Sequence, residues 1–363
     1  MATVRVRKVE SAEDTNRFWE VMRRTYRGDQ PPSETDLNAK PGQDRYLASD
    51  GDDVFGAYVV LDTEAWIRGE RFRNAAVAAV AVQPEARAGG LGTDMLRAML
   101  ADLVSSGYAV SSLYPFREPF YAKVGYATVG KRIRVTCPAH RLPNPAAELS
   151  VRLIRPADWS SIDPCYTAFA HARSGLFART EAQWKRVLAE NRELAIYTAG
   201  DPVEAYAVVS HNGSFWSVDH VSEFIWSSAR GYRSILRFLR GLAINKHGLS
   251  WYEPSDGPFP SHYLDEGVEL KLERPWMSRV LRPDVIAERF GVSFSVTDAE
   301  LDSNNREFGG SAPQFRCAQP ALAQLIHGEP SLAQLEWLGT VEVLDPSVRN
   351  RFGPCPSYCP DFY

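Results

Sequence analysis

The chain of 363 residues has few of the features that mark nucleic-acid-binding, membrane or secreted proteins. Its formal net charge is −4, so no excess of basic residues argues for nucleic-acid binding. The longest apolar runs, such as residues 75–82, are far too short to span a bilayer. Residues 1–8 lack the apolar core of a signal peptide, and we therefore expect a cytoplasmic protein.

Residues that bind metals or act as nucleophiles are few or unsuitably spaced. The five cysteines form no array of metal ligands, and we interpret Cys355 and Cys359 as reduced thiols rather than half a zinc site or a disulfide. The seven histidines are scattered without an H-x-x-x-H spacing, so no metal is expected. No serine lies in a G-x-S-x-G elbow, which argues against a serine hydrolase.

What the sequence does contain is a glycine-rich turn between an apolar strand and an amphipathic helix. The strand is predicted over residues 75–82, and the helix over residues 94–105, where apolar side chains recur at helical spacing. Arg87 and three glycines lie between them. Glycine lets the backbone approach a ligand closely, and the unpaired N–H groups at a helix start attract anions. The turn therefore predicts an anion site suited to a pyrophosphate.

Two familiar nucleotide-binding loops fit this turn poorly. A Walker A loop would end in Gly-Lys-Ser or Gly-Lys-Thr, whereas Gly92 is followed by Thr93 and Asp94 without a lysine. A Rossmann loop would need a third glycine and an acidic residue about 20 positions later, where this chain has Ser111 and Ser112. An ordinary strand-to-helix turn without a ligand stays open as an alternative.

The R-x-x-G-x-G run of residues 87–92 instead resembles the coenzyme A loop of the Gcn5-related N-acetyltransferases. A second motif, L-Y-P followed by F-Y-x-K-x-G-Y in residues 113–126, resembles the end of the same fold. In that family a tyrosine on a short helix protonates the departing coenzyme A thiolate, and the matching residue is Tyr121. The alternative is that Tyr121 only packs in the core, like Tyr126.

The resemblance implies acetyl-CoA as co-substrate and assigns its contacts. Backbone groups of Val80, Ala81 and Val82 would hold the pantetheine arm, and the N–H near Val82 would polarise the thioester carbonyl. The family's coenzyme-contacting serine after the fifth strand is replaced by Phe116, with Arg117 next, which leaves that contact open. The pyrophosphate would be held by the loop residues Arg87, Ala88, Gly89, Gly90, Leu91, Gly92 and Thr93.

The sequence divides into three regions. Residues 1–137 form the predicted acetyltransferase domain, residues 138–149 a proline-containing linker, and residues 150–274 a second lobe with a similar order of strands and helices. The second lobe lacks an R-x-x-G-x-G turn before its last helix, so we interpret it as a degenerate acetyltransferase-like domain. Residues 275–363 resemble a sterol-carrier-like fold, and the fold class predicted for the whole chain is α/β (α+β).

This combination resembles the enhanced intracellular survival (Eis) family of bacterial N-acetyltransferases over nearly the whole chain. In that family the main-chain carboxylate of the last aromatic residue is the general base, which implies this role for Tyr363. The alternative is a structural plug, since two terminal aromatic residues bury a large apolar area and are expected to dock. The family forms hexamers, so the resemblance implies a homo-oligomer.

The acceptor is predicted only as a primary amine. Aminoglycosides, polyamines, lysine side chains and natural-product amines all suit a pocket with acidic and aromatic groups. Candidate acceptor contacts are Trp66, Asp361 and Phe362, although Trp66 suits core packing equally well. We expect no nucleic-acid or membrane partner. The functions left open are a non-catalytic acyl-CoA sensor, a lipid carrier in the third region, and an acyltransferase that uses a longer acyl-CoA.

Overall fold

The structure, a computed structural model, describes residues 4–27, 42–87, 89–189, 194–210 and 217–361. Helix α1 (Ala12–Met22) begins after Ser11, whose hydroxyl caps the helix by accepting a 3.0 Å hydrogen bond from the backbone N–H of Asp14. The other elements of the first region are β1 (Val4–Lys8), β2 (Gln43–Asp50), β3 (Asp53–Ile67), β4 (Glu70–Val82), α2 (Leu91–Ser105), β5 (Val110–Leu113), α3 (Glu118–Ala122) and β6 (Ala127–Pro138).

Strand β3 corrects one prediction. The sequence pattern indicates two strands, Val54–Leu61 and Glu64–Ile67, whereas β3 runs without a break over Asp53–Ile67. The predicted break is wrong because the Asp62 side chain lies on the exposed side of the strand. There its Oδ2 is 3.0 Å from Nη2 of Arg73. The alternation of buried and exposed side chains that defines a strand therefore continues through this position.

The second region begins with β7 (Val151–Ile154). The sequence pattern predicts helix over residues 156–173, whereas the structure has a 3₁₀ helix, Pro156–Ser161, followed by α4 (Asp163–His171). Pro164 explains the division, because proline has no backbone N–H and is tolerated only in the first turn of a helix. The remaining elements are α5 (Glu181–Ala189), β8 (Leu194–Ala199), β9 (Ala205–Ser210), β10 (Val218–Trp226), α6 (Ala229–Leu242), β11 (Gly248–Glu253), α7 (Pro258–His262) and β12 (Glu269–Val280).

These twelve strands form one sheet in the order β1-β2-β3-β4-β5-β12-β6-β11-β10-β9-β8-β7. In each lobe two parallel strands are joined by one helix, as β4-α2-β5 and as β10-α6-β11. The last strands of the two lobes are exchanged: β12 pairs with β5 of the first lobe, and β6 pairs with β11 of the second. Because of this exchange, the two lobes share one sheet.

The third region adds a four-stranded sheet in the order β14-β13-β15-β16. Its elements are α8 (Pro283–Phe290), β13 (Phe294–Thr297), β14 (Arg306–Phe308), β15 (Phe315–Ala318), α9 (Gln319–His327), α10 (Leu332–Trp337), β16 (Val341–Val343) and α11 (Val348–Arg351). The predicted boundary between residues 274 and 275 falls within β12, so the first residues assigned to this region belong to the large sheet. The three-way division of the chain stays a prediction.

The third region is attached to the first lobe through the turn between β3 and β4. The Arg68 guanidinium donates to the backbone oxygens of Ile326 at 2.9 Å and Gly353 at 2.7 Å. One buried apolar cluster also joins the two regions, since Phe18 and Ile67 belong to the same core as Leu322. Burial of this apolar surface fixes the third region against the face of the sheet that carries α1.

Candidate active site

The candidate site lies where two parallel strands of the first lobe separate. Strands β4 and β5 are paired from Asn74 with Val110 to Val77 with Leu113, where β5 ends. Strand β4 continues to Val82 and contains a bulge at Ala79, which has a φ of +49°. The diverging strands therefore leave the backbone of residues 80–82 at the edge of a cleft.

A cavity of about 520 Å³ occupies this cleft. Its wall brings together six of the predicted coenzyme contacts, namely Val80, Val82, Arg87, Gly92, Phe116 and Arg117. It also includes Tyr26, which the sequence pattern places on the apolar face of the first helix. The Tyr26 hydroxyl donates a hydrogen bond to the Val80 backbone oxygen and so fixes the edge of β4. A cleft function for Tyr26 has no local sequence signal, because the contact joins residues 54 positions apart.

Helix α2 begins at the predicted anion site. Gly90 is its N-cap, with a φ of +83° that an L side chain rarely adopts, and the helix starts at Leu91 rather than at the predicted Asp94. A Cβ on Gly92 would lie 3.3 Å from the Phe120 ring. These two glycines therefore let the start of the helix face the cavity, and its N–H groups and dipole favour an anion.

Arg87 is held beside this helix start. Its Nε donates a 3.0 Å hydrogen bond to the Val82 backbone oxygen, which connects the loop to the end of β4. The guanidinium contributes a positive charge to the wall of the cavity. The predicted contact Ala88, next in the chain, lies outside the described residues.

Tyr121 lies on α3. Phe116, which precedes this helix, and Phe120, which belongs to it, line the cavity. The Tyr121 side chain is only 2% exposed, and its ring packs edge-on against Phe116, Phe120 and Tyr126, with centroid distances of 5.7, 5.1 and 6.2 Å. Burial raises the pKa of the Tyr121 phenol well above its usual value, and Tyr26 and Tyr126 add to the shift. The phenol is therefore protonated at neutral pH.

Tyr126 differs from Tyr121 although both tyrosines are buried. The Tyr126 hydroxyl shares a 2.7 Å hydrogen bond with the Ser111 hydroxyl on β5. Burial raises the pKa of Tyr126 to about 12, while the bond to Ser111 lowers it in part. Tyr126 is thus a packing residue that is bonded to the strand.

The last described residues, 358–361, form a carboxyl-terminal segment that lies across the sheet from Tyr121. Ser174 accepts a 2.8 Å hydrogen bond from the backbone N–H of Tyr358, which holds the segment against the second lobe. The Tyr114 hydroxyl, immediately after β5, donates a 2.8 Å hydrogen bond to the Cys359 backbone oxygen. The carboxyl-terminal segment therefore runs to the point where β4 and β5 separate.

Asp361 fixes this segment from its other side. Its carboxylate accepts hydrogen bonds from Arg179 Nη2 at 2.8 Å and from the Tyr166 hydroxyl at 3.3 Å. Arg179 also binds Glu223, with 3.0 Å between Nη1 and Oε2. The side chains of Arg179, Glu223 and Asp361 are only 2–4% exposed, so the chain end is anchored by a buried ionic network. Phe362 and Tyr363, predicted as acceptor contact and base, lie outside the described residues.

Trp66 lies away from this cleft. It pairs with Arg71 at the β3–β4 turn, the opposite end of β4 from Val82. There its ring packs against His171, with a centroid distance of 5.4 Å, and lines a separate cavity of about 350 Å³. The structure therefore does not bring Trp66 together with the other predicted site residues.

The corresponding cleft of the second lobe, between β10 and β11, is occupied by side chains. Glu253 at the end of β11 is fully buried and accepts hydrogen bonds from the Tyr232 hydroxyl at 2.6 Å and from Trp251 Nε1 at 3.1 Å. Burial raises the pKa of Glu253 to about 7. At the start of α6 a Cβ on Gly231 would lie 2.7 Å from the Glu204 backbone oxygen. Side chains and backbone therefore pack closely at the end of β11 and at the start of α6.

Comparisons with protein families identify both lobes. Residues 5–129 match one model of an acetyltransferase (GNAT) domain, and residues 175–282 match a second. This chain is a tandem GNAT protein. It belongs with the N-acetyltransferases, as the sequence motifs predicted, and the GNAT fold implies acetyl-CoA binding. No curated protein matches the chain.

Three solved structures share the whole fold of this tandem GNAT protein. A GCN5-related N-acetyltransferase from Anabaena variabilis has a TM-score of 0.83 at 16% identity, over 99% of this chain and 100% of that one. Eis1 from Mycobacterium abscessus has a TM-score of 0.78 at 18% identity, over 99% of this chain and 100% of that one. A GCN5-related N-acetyltransferase from Kribbella flavida gives 0.76 at 20%, over 99% of each chain. The Eis-like tandem GNAT fold is thereby confirmed.

Three further observations concern thiols, metals and membranes. All five cysteines are free, including Cys355 and Cys359. Within the described ranges, no three His, Cys, Asp or Glu side chains form a group that could hold a metal ion. Among the helices of the same ranges, none is both long enough and apolar enough to cross a bilayer.

Proposed function

We propose that this tandem GNAT protein transfers the acetyl group of acetyl-CoA directly to a primary amine in its first lobe. The observation that carries the proposal is the cavity between β4 and β5, whose wall combines a strand edge, a helix start and Arg87. The helix start and Arg87 suit a pyrophosphate, and the edge of residues 80–82 suits the amide groups of a pantetheine arm. Gly89, Gly90, Leu91 and Thr93 would add backbone contacts to the pyrophosphate.

In the proposed reaction, the amine nitrogen attacks the thioester carbonyl carbon, and the carbon–sulfur bond then breaks. Tyr121 would donate its phenolic proton to the sulfur, since burial keeps the phenol protonated at neutral pH. The phenol regains its proton from solvent. Aligning amine and thioester in one cleft supplies part of the acceleration, because the reaction becomes effectively unimolecular.

The amine nitrogen carries an extra proton once it has attacked the carbonyl carbon, and removal of that proton requires a base. We assign it to the α-carboxylate of Tyr363. The path of the carboxyl-terminal segment supports this assignment, because the Cys359 backbone oxygen is bonded to Tyr114, immediately after the end of β5. Two residues follow the anchored Asp361 and can extend at most about 7 Å from it, so the assignment requires the thioester to lie within that reach. Asp361 would act as an anchor for this segment, and Phe362 as an acceptor contact.

The second lobe is proposed to be degenerate. Two observations support this proposal: Glu253 at the end of β11 is buried and bonded to Tyr232, and the Glu204 backbone packs closely against Gly231 at the start of α6. The lobe would then serve to position β12 and the carboxyl-terminal segment. The third region, proposed as sterol-carrier-like, would complete the acceptor side. A homo-oligomer, with the hexamer as the form implied by the resemblance, is part of the same proposal and can be tested by light scattering.

The experiment that tests the transfer is thiol release from acetyl-CoA with a panel of polyamines, aminoglycosides, amino acids and lysine peptides. The wild type would be compared with Tyr121→Phe and with a chain that lacks Tyr363. Amine-dependent thiol release that collapses in both variants supports the transferase with this acid and base. Binding of acetyl-CoA without turnover of any amine would support the acyl-CoA sensor instead.

A further inference from the structure

Arg132 on β6 is a buried cation that forms no ion pair with the residues that the structure describes. The residue is 4% exposed, and no acceptor among the described residues bonds to its Nε or Nη1. Its guanidinium carbon lies 3.9 Å from the Tyr252 ring centroid and 5.8 Å from that of Tyr114. A buried charge is normally paired, because loss of hydration costs several kcal/mol. Two aromatic rings compensate for only part of that cost.

The carboxylate closest in register does not neutralise Arg132. Glu273 on β12 is directly opposite Arg132 in the strand pairing. Its oxygens are engaged by Lys271 at 3.0 Å, Arg134 at 3.5 Å and the Tyr252 hydroxyl at 3.0 Å. Within the part of the chain that the structure describes, no carboxylate comes within 4 Å of the Arg132 guanidinium. No described carboxylate therefore neutralises the Arg132 charge.

Arg132 lies on the side of the cleft that the acceptor would use. The side of β5 that carries Ser111, which is bonded to Tyr126, is covered by α2 and by the proposed acid Tyr121. Tyr114 belongs to the opposite side, where its hydroxyl bonds to Cys359 and its ring lies beside Arg132. Because α2 and α3 cover the first side, an amine has to approach the thioester from the side of Tyr114.

We propose that Arg132 binds a carboxylate of the acceptor, so that the natural substrate is an amine that also carries a carboxylate, such as an amino acid or peptide. This inference rests on the proposed transfer and specifies its substrate class. A guanidinium offers a planar pair of N–H donors that matches a carboxylate. A polycationic amine would instead meet an uncompensated positive charge. The tyrosine rings on either side would hold the carboxylate in one orientation.

The test compares acceptors that differ only in charge. The pair 4-aminobutyrate and 4-aminobutanamide keeps the amine three methylenes away from the varied group, and putrescine replaces the carboxylate by a cation. For the wild type we expect kcat/KM for the carboxylate to exceed that for the carboxamide by about ten- to a hundred-fold, the usual effect of a charge-assisted hydrogen bond. Equal or inverted values would overturn the proposal without any variant.

Variants then assign the preference to Arg132. In Arg132→Gln the ratio of carboxylate to carboxamide should fall to within about twofold of one, mainly through KM, whereas Arg132→Lys should retain part of it. Arg134→Gln, two positions along the same strand and paired with Glu273, is the matched control and should keep the wild-type ratio. A ratio that survives in Arg132→Gln would contradict the assignment.

Failure of the proposed transfer can be told apart from failure of this inference. If no amine supports thiol release, calorimetric titration of 4-aminobutyrate into the protein with coenzyme A still tests Arg132. Binding that weakens at least tenfold in Arg132→Gln would support a carboxylate site in the absence of transfer. No binding to the wild type would overturn the site itself.

Discussion

Arg179 and Asp361 join the second lobe to the carboxyl-terminal segment through a buried ion pair, with 2.8 Å between Nη2 and Oδ1. Glu223 binds the same guanidinium, so one cation satisfies two carboxylates. The Arg179 side chain is 2% exposed, which makes this contact insensitive to surface screening. The position of the chain end therefore depends on a residue 182 positions earlier.

Replacing Arg179 by Met should destabilise the protein strongly. The substitution leaves Glu223 and Asp361 buried without their partner, and breaking a buried pair in this way costs about 3–5 kcal/mol. Urea unfolding followed by tryptophan fluorescence measures the change. Arg230→Met, which removes a pair with Glu204 at a half-exposed arginine, is the control and should cost about 1 kcal/mol or less. Equal losses in the two variants would contradict the anchoring function of Arg179.

Tyr121→Phe should lower kcat by about 10²- to 10⁴-fold, the usual contribution of a general acid, and leave acetyl-CoA affinity nearly unchanged. The ring remains packed against Phe116 and Phe120, so only the proton donor is lost. Tyr126→Phe is the matched control, because it removes a buried hydroxyl that bonds to Ser111. The comparison requires conditions in which the chemical step limits kcat. If Tyr121→Phe then has the wild-type kcat, Tyr121 is a packing residue and not the general acid.

Gly92→Val should weaken acetyl-CoA binding by at least tenfold. The new side chain would start 3.3 Å from the Phe120 ring and 3.4 Å from the Val82 side chain, inside the wall of the cavity. Gly241→Val in α6 is the control, since no atom lies within 4 Å of a Cβ at that position and the residue lies in the second lobe, away from the cleft. Calorimetric titration of acetyl-CoA measures both affinities. The cleft would not be the coenzyme site if Gly92→Val bound acetyl-CoA as tightly as the wild type.

Glu253 should make the stability of the protein depend on pH. Burial raises its pKa from 4.5 to about 7, so the folded state holds the proton more tightly than the unfolded chain. The free energy of unfolding should therefore fall as the pH rises from about 4.5 to about 7, by up to about 3 kcal/mol from this group. Denaturant titrations at several pH values measure the slope. Glu253→Gln should flatten it, whereas the exposed Glu269→Gln should not.

Some of the fold and site could be predicted because the signals are local. The R-x-x-G-x-G turn determines a strand end and a helix start within a few residues, so the cleft wall at Val82, Arg87 and Gly92 follows from sequence spacing. Tyr121 is placed by the short motif that contains it. The exchange of β6 and β12 carries no such signal, because the pairing partners are more than a hundred positions apart.

By itself, the sequence determined the tandem order of elements, the acetyltransferase family and the glycine-rich turn at the start of α2, because each depends on short-range backbone and side-chain chemistry. Only the tertiary structure placed Tyr114 against Cys359 and buried Arg132 away from every described carboxylate, because both depend on strand pairing and chain packing over long separations. The structure also places Trp66 outside the site. The strand register pairs Trp66 of β3 with Arg71, at the end of β4 away from the cleft.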